Sequence, residues 1–213
     1  MATFEKGILG GFSGKVGNVV GLRWRGKDVM RSLPAKSNYP ATPLQEAQRQ
    51  KFGLVIRFLT PIKSIVGQYF GKPQGDKSPF NLATGYHIRE AIENMGGTYE
   101  MDFPKVLISK GDLRGMDNPQ FQALANQQLS VTWDDNSGQG NASGSDLALI
   151  VVYAYNEGFF QIFEGVALRE DGTATLNLPA FFAGFDVVAW AGFVTQDLKE
   201  AATSTYLGAV VVS

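Results

Sequence analysis

Hydrophobic positions change period along this chain, and the change divides it. From Val19 to Leu33 apolar and polar residues alternate, with Val20, Leu22 and Trp24 interleaved with Gly21, Arg23 and Arg25. That period of two predicts a hairpin, with Gly26-Lys27-Asp28 as its turn and Val29 and Met30 leading into Arg31, Ser32 and Leu33. Pro34 to Ala41 reads as a linker, and the period beyond it is helical. Thr42-Pro43-Leu44-Gln45 is a start signal: Thr42 as N-cap, Pro43 at the first helical position, Gln45 completing a capping box. The helix is expected to run to about Leu59. Leu44, Ala47, Val55, Phe58 and Leu59 form its apolar stripe, and Arg49, Lys51, Arg57 and later Lys63 make the other surface basic. Pro61 kinks or restarts it, and Ile62, Ile65, Val66, Tyr69 and Phe70 carry the pattern to Gly71. Ser78-Pro79 opens a second helix, Phe80 to about Asn94, stopped by Gly96-Gly97.

From Val106 onward the period is that of strands. They are expected at Val106–Ile108, Leu129–Trp133, Leu147–Tyr155, Phe159–Leu168, Thr173–Leu178, Val187–Val194 and Thr205–Val212. Seven short strands with Gly, Asn and Asp turns predict an immunoglobulin-like sandwich. The fold class is therefore α+β. A β-arm, hairpin and two helices fill residues 1–104, and an all-β sandwich fills 105–213.

Residues 7–26 hold seven glycines, with Ile8, Leu9, Phe12, Val16, Val19, Val20 and Leu22 between them. A segment this rich in glycine orders only when something holds it, either its own domain or a neighbouring subunit; both readings stay open. The hairpin adds a basic ribbon, because alternation puts Arg23 and Arg25 on one face, opposite Leu22 and Trp24. Such a ribbon is either a solvated face that guards an edge or a dock for an acidic partner. Ile8, Leu9, Phe12, Val16, Val20, Leu22, Trp24, Arg23, Arg25 and Arg31 are the candidate subunit-interface residues.

Charge sharpens that picture. Residues 1–72 carry twelve Lys/Arg against three Asp/Glu, and residues 73–213 carry seven against seventeen, so a formal net charge of −1 hides two opposed poles. Copies can attract one another end to end. The 44% apolar residues suffice for a core, and the absence of Cys removes disulfides and thiolate metal sites. The chain shows no secretory leader and no apolar run long enough to span a membrane, which points to synthesis in the cytoplasm.

Chemistry is harder to find. Gly10-Gly11-Phe12-Ser13-Gly14-Lys15 fails as a phosphate loop, since Leu9 stands where Gly is required and Val16 where Ser or Thr is required. His87, the sole histidine, lies among apolar helix residues and reads as a core side chain; any Ser-His-acid triad would have to use it. Asp134, Asp135, Asn136 and Asp146 could gather around calcium, but their spacing matches no EF-hand and the stretch has turn composition. Arg23, Arg25, Arg31, Arg49, Lys51 and Arg57 could contact phosphates, yet no nucleic-acid motif is present and the acidic remainder opposes it. No catalytic residue, cofactor or metal is assigned, and the chain reads as non-enzymatic.

Two resemblances add to this. Leu129-Ser130-Val131-Thr132-Trp133, Val151-Val152-Tyr153-Ala154-Tyr155 and Val187 to Phe193 resemble the B, C and F strands of a fibronectin type III-like module, with Trp133 inward. Gly7 to Gly17, Asp28 to Pro34 and Ala41-Thr42-Pro43 through Gln48 to Phe52 resemble an uncharacterised family of bacterial conserved hypothetical proteins. The order of arm, basic hairpin and Thr-Pro-x-Gln helix is similar, more loosely, to small proteins of phage and prophage regions. The reading that follows is a self-assembling structural subunit, a homo-oligomer in a particle or filament of a virion or extracellular assembly, with the sandwich displayed. The alternatives are a surface glycan- or protein-binding module, contacting ligand through loops Asp134–Asp146, Asn156–Gly158 and Gln196–Ala201 with Tyr155 and Phe159 nearby, and a nucleic-acid-associated protein.

Overall fold

A computed structural model describes residues 2–4, 13–35 and 40–213. Two compact units meet in sequence at Thr42/Pro43. That boundary differs from the expected 104/105, because the helices do not form a unit of their own: they bury their apolar stripe on a sheet of the β region.

The first unit is a four-stranded antiparallel sheet of β1 (Ala2–Phe4), β2 (Gly14–Val16), β3 (Val19–Trp24) and β4 (Lys27–Ser32), in the order β1-β4-β3-β2. The expected hairpin is β3–β4, but its turn lies earlier. Trp24 pairs with Lys27, so Arg25-Gly26 alone makes the turn, and both have positive φ (50° and 80°). A two-residue loop with two left-handed positions matches the right-handed strand twist. β2–β3 turns on Gly17-Asn18, with φ 57° at Gly17. Antiparallel partners share a face. Val20, Leu22 and Trp24 therefore lie with Arg31, Val29 and Lys27 on one side, and Val16, Val19, Arg23 and Met30 lie on the other.

The second unit opens with α1 (Pro43–Leu59), α2 (Lys63–Tyr69) and α3 (Pro79–Glu90). Val55, Phe58, Leu59, Ile62, Ile65, Val66, Tyr69 and Phe70 are buried as the apolar period requires, whereas Leu44, at the start of the stripe, is exposed. Ser78 Oγ accepts from the Asn81 N–H (3.3 Å), the expected N-cap. α3 ends at Glu90 rather than near Asn94. Ile92–Asn94 (β5) instead pairs with Tyr99–Met101 (β6), with Gly96-Gly97 in the connection between them.

Seven longer strands follow: β7 (Asp117–Leu124), β8 (Gln128–Asp134), β9 (Leu147–Ala154), β10 (Phe159–Leu168), β11 (Thr173–Asn177), β12 (Asp186–Val194) and β13 (Thr205–Val211). They form two antiparallel sheets, β11-β8-β7 and β10-β9-β12-β13. One cluster joins the two, with Leu129, Val131, Trp133 and Leu176 from the first and Ile150, Val152, Ala189 and Phe193 from the second. The opposite face of β9 and β12, with Leu149, Val151, Val188 and Trp190, packs on the helices. Sandwiched between two layers, β9 and β12 read as continuous apolar runs.

Val106–Ile108 is not a strand. Val106 and Ile108 are buried, but the N–H groups of this stretch go elsewhere: Leu107 to His87 Nε2 (3.3 Å), Ile108 to Ser204 Oγ (2.9 Å), Lys110 to the Tyr69 carbonyl (2.8 Å). The seventh strand is β7, hidden in the sequence by Pro119 and its amides. Asn118 has φ 48° and the pairing with β8 slips between Asp117 and Gln120, so Pro119 sits at a bulge on an edge strand, where a missing N–H is tolerated. Among the described residues no helix is long and apolar enough to cross a membrane.

Candidate interaction surfaces

Of the candidate interface residues, Ile8, Leu9 and Phe12 lie outside the described residues. The sheet brings Val20, Leu22, Trp24 and Arg31 to one face and leaves Val16 and Arg23 on the other. Arg25 belongs to neither. It sits in the turn, its guanidinium carbon 5.1 Å from the centroid of the Trp24 ring. The expected ribbon of Arg23 and Arg25 is thus replaced by cations on both faces, Arg23 opposite Asp28 and Arg31 opposite Val20. Val29 is the one large apolar side chain fully buried among the described residues of this unit. Val16 is 63% exposed, Trp24 42%.

The loop from Asp135 to Asp146 holds a cation after all, and it is the chain's own. Arg169, fully buried, donates from Nε and Nη2 to Asp146 Oδ2 (both 3.0 Å) and from Nη1 to Asn136 Oδ1 (2.5 Å). Nη2 also donates to the Arg114 carbonyl (2.8 Å), and the guanidinium carbon lies 3.9 Å from the Phe193 ring centroid. Trp133 Nε1 closes the arrangement on the Arg169 carbonyl (2.8 Å). Asp134 and Asp135 are turned to Asn118 (2.6 Å) and Ser137 (2.9 Å) instead. Among the described residues no group of three His, Cys, Asp or Glu could hold a metal.

The three loops of the binding-module alternative do not share a surface. β9 and β12 pair with Leu147 opposite Val194 and Ala154 opposite Val187. The stretches before β9 and after β12 therefore lie at one end of the sheet, and Asn156–Gly158 lies at the other.

His87 is a structural residue. Its Nδ1–H donates to the Ala83 carbonyl (2.8 Å) and Nε2 accepts from Leu107 N–H, which fixes the neutral tautomer. Burial pushes its pKa below the usual value.

Two hollows open on the second unit. The first, about 740 Å³, is an aromatic groove lined by Arg57, Phe58, Tyr99, Phe103, Tyr155 and Phe160, among others. Tyr155 is thus placed in a groove, while Phe159 packs edge-on against the exposed Phe181, centroids 5.7 Å apart. The second, about 490 Å³, was not foreseen. The end of α2, one face of α3 (Leu82, Tyr86, Arg89, spaced by four and three), residues 110–112 and residues 199–203 surround it. Lys72, Arg89, Lys110 and Lys199 line it with Asp112 and Glu200. At its margin Tyr69 donates to Glu164 Oε1 (2.5 Å); burial first, and the carboxylate second, hold that phenol protonated far above its ordinary range.

The sequence model of a family of unknown function, DUF6266, matches residues 11–208, and the chain belongs to that family. No curated protein matches the chain.

Proposed function

For this member of the family we propose a non-enzymatic structural role: the chain assembles with copies of itself, its N-terminal sheet seated on the acidic second unit of a neighbour. The observation that carries the reading is the set of large apolar side chains left exposed on the N-terminal sheet. A sheet becomes stable when a second layer covers a face, and a unit of about forty residues usually needs a staple or a partner. Here Val16, Val19, Trp24 and Leu33 are exposed. Charge selects the partner, since residues 1–42 carry seven Lys/Arg against two Asp/Glu and residues 43–213 carry twelve against eighteen. Such a contact joins two different surfaces, so it yields rings when it closes and filaments when it does not.

The remainder of the chain is the displayed part. We read its seven strands as an immunoglobulin-like module with β7 to β13 in the positions A, B, C, C′, E, F and G. Support comes from the strand order, E-B-A against C′-C-F-G, and from Trp133 inward on the second strand.

Analytical ultracentrifugation of the full chain at low salt tests the assembly. The expected species is larger than one chain of 23.1 kDa. Arg23→Glu with Arg31→Glu, both exposed positions, should return it to monomer, and added salt should do the same in part. A full chain that stays monomeric at every concentration overturns the proposal, and so does an assembly that the double charge reversal leaves intact.

A further inference from the structure

We propose that the cleft between the end of α2 and α3 binds a small multivalent anion of the carboxylate or phosphate class. Its volume of about 490 Å³ lies in the range of small-molecule sites. Four separate segments each bring a cation to it: Lys72 from the loop after α2, Arg89 from α3, Lys110 from the stretch between β6 and β7 and Lys199 from the β12–β13 connection.

Lys199 is already neutralised by Asp197 at 2.8 Å. Lys72, Arg89 and Lys110 have no ion-pair partner among the described residues. Carboxylates outnumber cations in this unit, yet these three cations gather on one cleft. Lys110 is also aimed, its ammonium 5.4 Å from the Tyr86 ring centroid. Like charges held in one cleft repel, and a bound anion turns that repulsion into attraction. Asp112 and Glu200 on the same walls lower the net field. Recognition therefore rests on contacts from particular cations, and a ligand with two or more anionic groups is needed to engage them together.

The walls are fixed in place. Gly71 N–H donates to the Lys110 carbonyl (2.7 Å), Lys110 N–H to the Tyr69 carbonyl (2.8 Å) and Thr203 Oγ1 to the Gly111 carbonyl (3.1 Å). The cleft does not have to form on binding, which lowers the ordering cost.

Isothermal titration of the full chain at low ionic strength with citrate, and separately with inorganic pyrophosphate, tests this. At least one probe should bind saturably at one site. Arg89→Gln with Lys110→Gln, both solvent-exposed, should weaken it by about tenfold or more. Lys63→Gln, whose ammonium lies over the Phe80 ring outside the cleft, should leave it within about twofold. Binding of citrate alone assigns a carboxylate site, and binding of pyrophosphate alone a phosphate site. Absence of saturable binding with both probes overturns the proposal, as does an equal loss in the Lys63 variant. None of these readings depends on the oligomeric state.

Discussion

β3 and β12 are both inner strands of four-stranded antiparallel sheets, both carry paired valines near their start, and both carry a tryptophan; they differ in how deeply those side chains are buried. Every residue of β12 from Val187 to Val194 is buried. In β3 only Gly21 is. Trp190 has no exposed surface and donates its indole N–H to the Phe103 carbonyl (3.0 Å), with Phe58 edge-on at 6.0 Å. Trp24 keeps 42% of its surface exposed and has the Arg25 guanidinium over its ring. Hydrogen-bonded neighbours on both sides satisfy a strand's backbone in each case, so ladder pairing is not what separates them. A second layer is. At roughly 25 cal/mol per Å² of apolar surface, the exposed part of Trp24 on one face and of Val16 and Val19 on the other is a reserve of free energy that another surface can release. The two strands thus mark a finished interface and an unfinished one, and perturbing either should show in a different observable.

The largest effect is expected where the finished part is most polar. Asp146→Ala leaves the Arg169 guanidinium buried beside Phe193 with carbonyl and amide partners but no carboxylate in contact with it. Urea unfolding should lose about 3–5 kcal/mol. Asp146→Leu with Arg169→Met removes both charges and should recover most of that loss, since breaking a buried pair costs more than replacing it. A single variant as stable as the parent would mean that the β8–β9 loop is not held from inside. Next comes Gly111→Ala. A Cβ there would overlap the Ala201 carbonyl oxygen, so one of the two crossing backbones must move. A loss of about 1–3 kcal/mol is expected, with the weight-average mass of the assembly unchanged once the variant is folded. A change in mass without a loss of stability would erase the distinction between the two units.

His87 gives a smaller and pH-dependent effect. Burial lowers its folded pKa below the unfolded value near 6.5, so the unfolded chain binds the extra proton first. The stability tied to neutral His87 is whole above that unfolded pKa. It falls with pH, by up to about 1.4 kcal/mol per unit, until pH drops below the folded pKa. Melts at pH 7 and pH 5 should differ by more in the parent than in His87→Gln. Equal differences would show that the ring is not desolvated between α3 and Leu107.

Periodicity made much of this legible, and its failures have physical causes. The strands from β8 to β13, the Ser78 cap and the core role of His87 follow from local signals that a single element carries. β7 does not, because a bulge lets Pro119 and a row of amides sit on an edge. β5 was hidden in the tail of α3, since Ile92 continues a helical stripe while its backbone pairs with Met101. Val106–Ile108 has the apolar content of a strand but finds its acceptors on His87 and Ser204, which no local pattern shows. Arg169 is the clearest case. In Leu168-Arg169-Glu170-Asp171 it looks like one more charged turn residue, and only the meeting of two loops from distant parts of the chain buries it. The cleft at α2 and α3 was invisible for the same reason, its cations coming from four segments. For the candidate interface, alternation gave the faces of β3 correctly, but a turn one residue earlier than expected removed Arg25 from them.

That turn offers the smallest test and the most local one. Arg25 holds φ 50°, a left-handed position that costs a residue with a Cβ about 1–2 kcal/mol and costs glycine almost nothing. Replacement also removes the stack on Trp24, a contribution of about 0.5–1 kcal/mol at an exposed site. Arg25→Ala loses the stack and keeps the strain; Arg25→Gly loses the stack and relieves it. Amide exchange at Leu22 and Val29, which pair across the hairpin, should be slower in the glycine variant than in the alanine variant by a factor equivalent to about 1 kcal/mol. The melting of the second unit should not respond to either change. Equal exchange in both variants would place the turn at Gly26-Lys27-Asp28 instead, and with it would return Arg23 and Arg25 to a common face.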